Sequence, residues 1–136
     1  KIIFMFQKEV ADRILAKPKT KQYGRLTILA NYRLDIVKSF SISKNSFFPI
    51  PSVDSKVIVF KPKLNIRYKI NNIKNLEYIT NIFFGSKRKM INKAFARIFK
   101  NHLIVSEKLK INLKLRPSDL SLNQYYKLAE YLESNK

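Results

Sequence analysis

A chain of 136 residues with 46% hydrophobic content can bury one core, or one core with a small appendage. It has no cysteine and a single histidine, His102, which removes disulfides, thiolate metal sites and His-rich metal centres. Its 28 basic residues against 9 acidic ones leave a net charge of +19, a field that attracts polyanions and speeds their association. Lys, Ile and Asn dominate the composition, so part of the Lys excess is compositional drift on a solvated surface. Drift does not account for the scarcity of acids. Nucleic acid is therefore the partner expected first, and an anionic membrane surface second. No apolar run reaches the roughly 20 residues of a membrane-spanning helix. Ile2–Phe6, followed at once by Gln7-Lys8-Glu9, is too short for a signal-peptide core. The expectation is a cytoplasmic or organelle-matrix protein. The chain opens at Lys1 inside an apolar run, and so is expected to be a cut piece of a longer protein.

Ile2–Phe6 is a continuous apolar run, as expected of a strand buried on both faces of a mostly parallel sheet. In residues 8–16, Val10, Ala11, Ile14 and Leu15 fall at helical spacing, and Pro18 ends the helix. Residues 18–24 are a loop carrying Lys19 and Lys21, and residues 25–31 a short helix. Leu34, Ile36, Lys38, Phe40 and Ile42 follow a period of two, predicting a strand with one better-buried face. A loop over 43–52 leads to a buried strand over 57–60, closed by Pro62. Residues 63–75 are a polar connector. Leu76, Ile79, Ile82 and Phe83 then share a helical face with Gly85 as its stop. Residues 87–100 make the clearest amphipathic helix, with Met90, Ile91, Ala94, Phe95, Ile98 and Phe99 as its apolar stripe. On that helix Lys89, Lys93, Arg97 and Lys100 fall within a sector of about 80° on another side. A short helix is expected near 107–110. Ser121 and Gln124 form a capping box ahead of Leu122, Tyr125, Leu128, Ala129 and Leu132. The predicted fold class is α/β plus α, with an antiparallel end pair of strands followed by a small helical domain. The expected partition is 1–62, 63–75 and 76–136.

Two glycines, Gly24 and Gly85, lie too far apart for a phosphate-cradling loop. No Ser-His-Asp constellation and no paired carboxylates are present, so neither a cofactor site nor a metal site is expected. One loop stands out. Phe47, Pro49, Pro51, Val53 and Ser55 occupy alternate positions, and the prolines pre-set a stiff, extended segment. Such a segment can hold Phe47 as a platform for a flipped-out base, worth about 1–3 kcal/mol of stacking. Equally, Phe47 and Phe48 can be core residues at a sheet edge.

Five segments, in order along nearly the whole chain, carry a resemblance. Phe4 to Ile14 resembles the Q-K-E-V-A-x-R-I segment of the ribosomal RNA adenine dimethyltransferases. Pro18 to Thr27 is similar to that family's P-G-[ST]-K-x-Y-G-R-L-[ST] loop, with Lys19 where the family usually has Gly. Phe47 to Ser55 resembles its F-x-P-x-P-x-V-x-S loop. Arg88 to Asn92 resembles its R-K-x-[LI]-x-N segment, preceded by Lys87 where Gln or Arg is frequent. Arg116 to Ser121 matches its R-P-x-x-L-S segment.

The resemblance implies the C-terminal portion of a Rossmann-like class I methyltransferase sheet, followed by a helical RNA-binding domain. It implies a parent enzyme that uses S-adenosylmethionine to dimethylate two adjacent adenosines near the 3′ end of small-subunit rRNA, in ribosome biogenesis. The cofactor loop and catalytic motif of the family have no counterpart here, so this stretch alone is expected to bind RNA without catalysis and without cofactor. Phe47 is implied as the residue stacking on the target adenine, and Phe48 is assigned to packing. Arg88, Lys89, Lys93, Arg97, Lys100, Lys19, Lys21 and Arg25 are expected to contact RNA; Gln7, Lys8 and Tyr23 are expected to shape the active-site rim. The expected partner is small-subunit rRNA in a 30S-type particle, with self-association through an uncovered sheet as a second expectation. The alternative is a free-standing RNA-binding or ribosome-assembly module of the same superfamily. The Q-K-E-V-A and Y-G-R-L segments argue against the ribosome-targeting resistance methylases.

Overall fold

The computed structural model describes residues 1–135. Strand β1 (Ile2–Gln7) runs directly into helix α1 (Lys8–Leu15), and a loop leads to α2 (Arg25–Ala30). Strands β2 (Leu34–Ile42) and β3 (Ser55–Pro62) follow, then helices α3 (Ile73–Phe84), α4 (Asn92–Ile98), α5 (His102–Leu109) and α6 (Leu122–Ser134). Short 3₁₀ turns occupy Lys44–Ser46 and Pro117–Asp119.

The sheet has the order β1-β3-β2 and both pairings are antiparallel. Among the described residues β1 pairs on one side only, with β3, where burial on both faces was expected, and Ile3 and Met5 are 67% and 56% exposed. The doubly buried strand is β3, whose Val57, Ile58, Val59 and Phe60 lie between two neighbours. One face of the sheet is covered by α1, through Ala11 and Ile14 packed on Ile58 and Phe60.

The period-two reading of β2 needs correction. Ile36 pairs with Phe60 but Lys38 pairs with Val59, so a bulge at Val37 adds one residue. Because strand side chains alternate, one inserted residue sends everything beyond it to the opposite face. Leu34 and Ile36 therefore pack on the α1 side. Lys38, Phe40 and Ile42 share the other face with Val59 and Val57.

The larger core joins residues from both ends of the chain. Tyr23, Ile28 and Tyr32 pack with Leu76, Ile79, Phe83, Phe95, Tyr125 and Leu128. Buried tyrosine hydroxyls tie this union. Tyr23 donates to the Leu120 carbonyl and Tyr126 to the Ile28 carbonyl, each at 2.7 Å. Tyr32 donates to the Tyr68 carbonyl at 2.8 Å and accepts from the Ile70 amide at 2.6 Å. A buried hydroxyl without a partner costs about 1–3 kcal/mol, so these long-range bonds also specify the packing. Burial pushes the Tyr23, Tyr125 and Tyr126 hydroxyls to higher pKa.

The helical half begins earlier than expected. Asn72 caps α3, its side chain accepting from the Lys74 amide at 3.0 Å. Gly85 ends α3 at φ −66°, so it does not serve as a left-handed stop; a Cβ there would instead meet the Asn81 carbonyl at 3.2 Å. The single helix expected over 87–100 is only α4. An unbroken helix would direct the Ile91 amide to the Lys87 carbonyl. It donates instead to the Leu115 carbonyl at 2.8 Å, so residues 85–91 are turns tied to another segment. Phe99 is already extended, at φ −113° and ψ 123°. The helix expected near 107–110 is a fuller α5, ended by Lys110 at φ 56°. The α6 capping box is present as read: the Gln124 amide donates to Ser121 Oγ at 3.2 Å, and the Ser121 amide donates to Gln124 Oε1 at 2.8 Å.

Candidate functional site

The Pro-rich loop between β2 and β3 is anchored at its base by Asp54. Its carboxylate accepts the Lys44 amide at 2.8 Å, and its carbonyl accepts the Lys8 amide at the start of α1 at 3.0 Å. Ser43 caps the 3₁₀ turn by accepting from the Asn45 amide. On this base Phe47 is half-buried, whereas Phe48 is 99% exposed. The assignment of Phe48 to packing is therefore overturned: two neighbouring residues on an extended segment point to opposite sides, and Phe47 takes the inner one.

Beside the loop lies a cleft of about 440 Å³ lined by Gln7, Lys8, Asp12, Lys44, Val53 and Asp54 among others. Gln7 and Lys8 thus do sit on a common rim. Lys8 Nζ is committed there to Asp12 at 2.8 Å, and Lys56 holds the other Asp12 oxygen. The hydrogen bond from Lys56, then that from Lys8, holds the Asp12 carboxyl below its ordinary range, and Asp12 in turn raises Lys8. Sequence reasoning missed Asp12, Asp54 and Lys56. The Lys8–Asp12 spacing of four was a readable signal; the Asp54–Lys44 and Asp12–Lys56 contacts were not, because they close across the loop and the sheet. Tyr23 does not join this rim: it is 0% exposed, inside the larger core.

The basic residues divide into two groups. Lys89, Lys93 and Arg97 line a cavity of about 500 Å³. Lys100 and Arg88 are exposed but do not line it. Lys21 and Arg25 share a second cleft of about 370 Å³ with Arg13 and Lys87, two cations that the sequence reading did not assign to RNA. Lys87 Nζ donates to the Lys21 carbonyl at 2.8 Å, and Arg25 reaches Thr80 Oγ1 and the Glu77 carbonyl at 3.4 Å each. Lys19 is exposed, at φ 71°, and its amide donates to the Ser118 carbonyl at 2.8 Å. That is the left-handed conformation glycine adopts without cost, so the loop keeps a glycine-type turn with Lys in it.

The described residues match the ribosomal RNA adenine dimethylase family from residue 1 to residue 134. The chain belongs to this family. Over 132 residues it is 45% identical to the ribosomal RNA small subunit methyltransferase A of Pelagibacter ubique, covering 97% of this chain and 50% of that protein. It is 40% identical to the same-named protein of Buchnera aphidicola from Schizaphis graminum, covering 97% of this chain and 47% of that one. Among solved structures, a dimethyladenosine transferase from Plasmodium falciparum matches with a TM-score of 0.76 and 27% identity, over 98% of this chain and 56% of that one. The 23S rRNA methyltransferase ErmE matches at 0.59 and 17% identity, over 96% and 54%, a likeness of fold alone. The chain spans about half the length of the curated family members it matches.

Neither glycine of this chain takes the turn of a nucleotide-binding loop for S-adenosylmethionine. Gly24 is extended at φ −174° and Gly85 is helical at φ −66°, so neither supplies the left-handed turn of a glycine-rich nucleotide loop. No group of three His, Asp or Glu side chains among the described residues is arranged to hold a metal ion.

Proposed function

We propose that this chain is the RNA-directed portion of an S-adenosylmethionine-dependent rRNA adenine N6,N6-dimethyltransferase acting on two adjacent adenosines near the 3′ end of small-subunit rRNA. By itself it binds RNA in the 30S-type particle and does not transfer methyl groups. Residues 1–62 are the closing part of the methyltransferase sheet, 63–75 the connector and 76–136 the RNA-binding helical domain, in a protein that works in the cytoplasm. The observation that carries the reading is the grouping of Lys89, Lys93 and Arg97 around one cavity, on a chain that matches the family through residue 134. Lys100, Arg88, Lys19, Lys21 and Arg25 extend the phosphate-contacting surface. Phe47 stacks on the target adenine, and Gln7 and Lys8 form the rim beneath it.

The test is a filter-binding salt titration on the chain. Replacing Lys89, Lys93, Arg97 and Lys100 by Gln flattens the slope of log affinity against log salt by roughly 0.7–0.9 per lost phosphate contact. An unchanged slope removes this surface as the RNA site. For Phe47, methylation is measured in a full-length dimethyltransferase carrying this segment. Phe47→Ala lowers turnover while most RNA affinity persists, since phosphates supply the bulk attraction. Loss of turnover in Phe48→Ala with normal Phe47→Ala would transfer the role to the exposed ring.

A further inference from the structure

The cavity of about 500 Å³ lies between the end of α3, the turns before α4 and Pro117. Lys89, Lys93 and Arg97 stand around it, and Ile82, Phe83 and Met90 give it an apolar lining. No carboxylate lines it, and none of the ion pairs among the described residues uses these three cations. Met90 is 48% exposed. On an unbroken helix it would share the buried stripe with Ile91; the turns before α4 bring it instead to the cavity.

Contact with duplex phosphates needs cations on a convex or flat surface and has no use for an apolar hollow. We propose that this cavity holds one unstacked nucleotide of single-stranded RNA, with its base against Met90 and Ile82 and its phosphate among Lys89, Lys93 and Arg97. The inference rests on the RNA-binding reading above and adds to it a preference for an unpaired base. The volume falls within the roughly 300–1,000 Å³ of small-ligand sites. Sequence-dependent RNA recognition takes splayed bases from single strands, because side chains do not reach base edges in the deep groove of an A-form helix. A thioether at the edge of an aromatic ring is a favourable contact, and a half-exposed methionine is free to make it.

The chain has two methionines, Met5 on β1 and Met90, so a methyl-labelled protein gives two signals, one reporting the cavity and one serving as control. Titration with adenosine 5′-monophosphate is expected to move the Met90 methyl upfield by ring current with a dissociation constant in about the millimolar range, leaving Met5 in place. Inorganic phosphate and ribose 5-phosphate are expected to leave Met90 unmoved. Ser86→Phe at the mouth and Ala94→Leu on α4 each abolish the nucleotide response while the salt slope for short duplex RNA stays the same. A static Met90 signal under the nucleotide, with RNA still bound, overturns the pocket and leaves the RNA reading intact. An equal shift from ribose 5-phosphate, or from an acidic peptide, also overturns it. Failure of the unmodified chain to bind RNA would remove the reading on which the pocket stands.

Discussion

Replacing Lys19 by Gly should stabilise the protein although it removes a side chain and adds none. Lys19 sits at φ 71°, where a Cβ crowds the backbone and an L residue pays roughly 1–2 kcal/mol. Glycine removes that penalty but gives back about 0.4–1 kcal/mol through the greater freedom of its unfolded chain. The side chain is exposed, so no packing is lost, and the 2.8 Å bond from the residue 19 amide to the Ser118 carbonyl is retained by any residue except proline. The net gain is about 0.8 kcal/mol. For a chain of this size that is a rise of about 3 °C in thermal midpoint. Lys19→Ala is the control, because alanine carries the same Cβ into the same turn and should gain nothing. Thermal unfolding followed by circular dichroism compares the three proteins. A gain in the alanine variant equal to that in the glycine variant would refute the backbone argument and leave charge relief as the cause. The same glycine variant reports on RNA: if Lys19 contacts a phosphate, its salt slope flattens by roughly 0.7–0.9 while its stability rises.

Three other perturbations test separate parts of the structure. The Asp12 carboxyl is depressed below 3.8, so the stability it contributes is complete above that value and is lost as pH falls through the lower folded value. Asp12→Asn should flatten stability against pH below about pH 4 and leave the slope between about pH 5 and 9 unchanged in urea titrations; a parallel pair of curves would show that the Lys56 and Lys8 contacts contribute nothing. Glu133 accepts the Asn71 and Asn72 amides at 2.8 Å and Asn75 Nδ2 at 2.9 Å, fastening the start of α3 to α6. Glu133→Gln sets an amide donor against one of those amides and should cost about 1–3 kcal/mol by denaturant midpoint, with an unshifted midpoint counting against the clamp. The exposed edge strand β1 should pair between copies, so sedimentation should show concentration-dependent association that Met5→Lys abolishes; a strictly monomeric parent chain would end this expectation.

Local patterns were legible where the physics that decides them is local. The α6 capping box, the helical spacing of Val10, Ala11, Ile14 and Leu15, and the short buried β3 run needed only neighbouring residues to be read. The misreadings came from decisions made elsewhere in the chain. The Val37 bulge was hidden because period-two arithmetic continues through an extra residue unless the partner strand is known. The helix over 87–100 was overextended because the bond that diverts the Ile91 amide comes from Leu115, 24 residues away. For the site, charge and periodicity grouped Lys89, Lys93 and Arg97, which line one cavity although Lys89 lies outside α4, and gave no sign of that cavity. Tyr23 was misplaced because its motif context marked it as special, while the partner that explains it, the Leu120 carbonyl, lies 97 residues on.

The few acids of this chain bear on how a protein of net charge +19 folds and still presents a positive field. Among the described residues four of the nine accept backbone amides. Glu130 accepts the Lys69 amide, Glu133 the amides before α3, Asp119 the Arg116 amide and Asp54 the Lys44 amide. These carboxylates satisfy backbone donors at helix starts and loop bases, where a negative charge stabilises the fold without neutralising a lysine. Only Asp12 and Glu9 form ion pairs among the described residues, and they engage Lys8, Lys56 and Arg13. The cations around the α4 cavity therefore face solvent with their charge uncompensated. Adding carboxylates there by substitution would lower RNA affinity at little cost to folding. Removing carboxylates from the backbone clamps would lower stability at little cost to affinity. Scarcity of acids is thus a division of labour: the fold uses them for its own amides, and the surface is left to the polyanion.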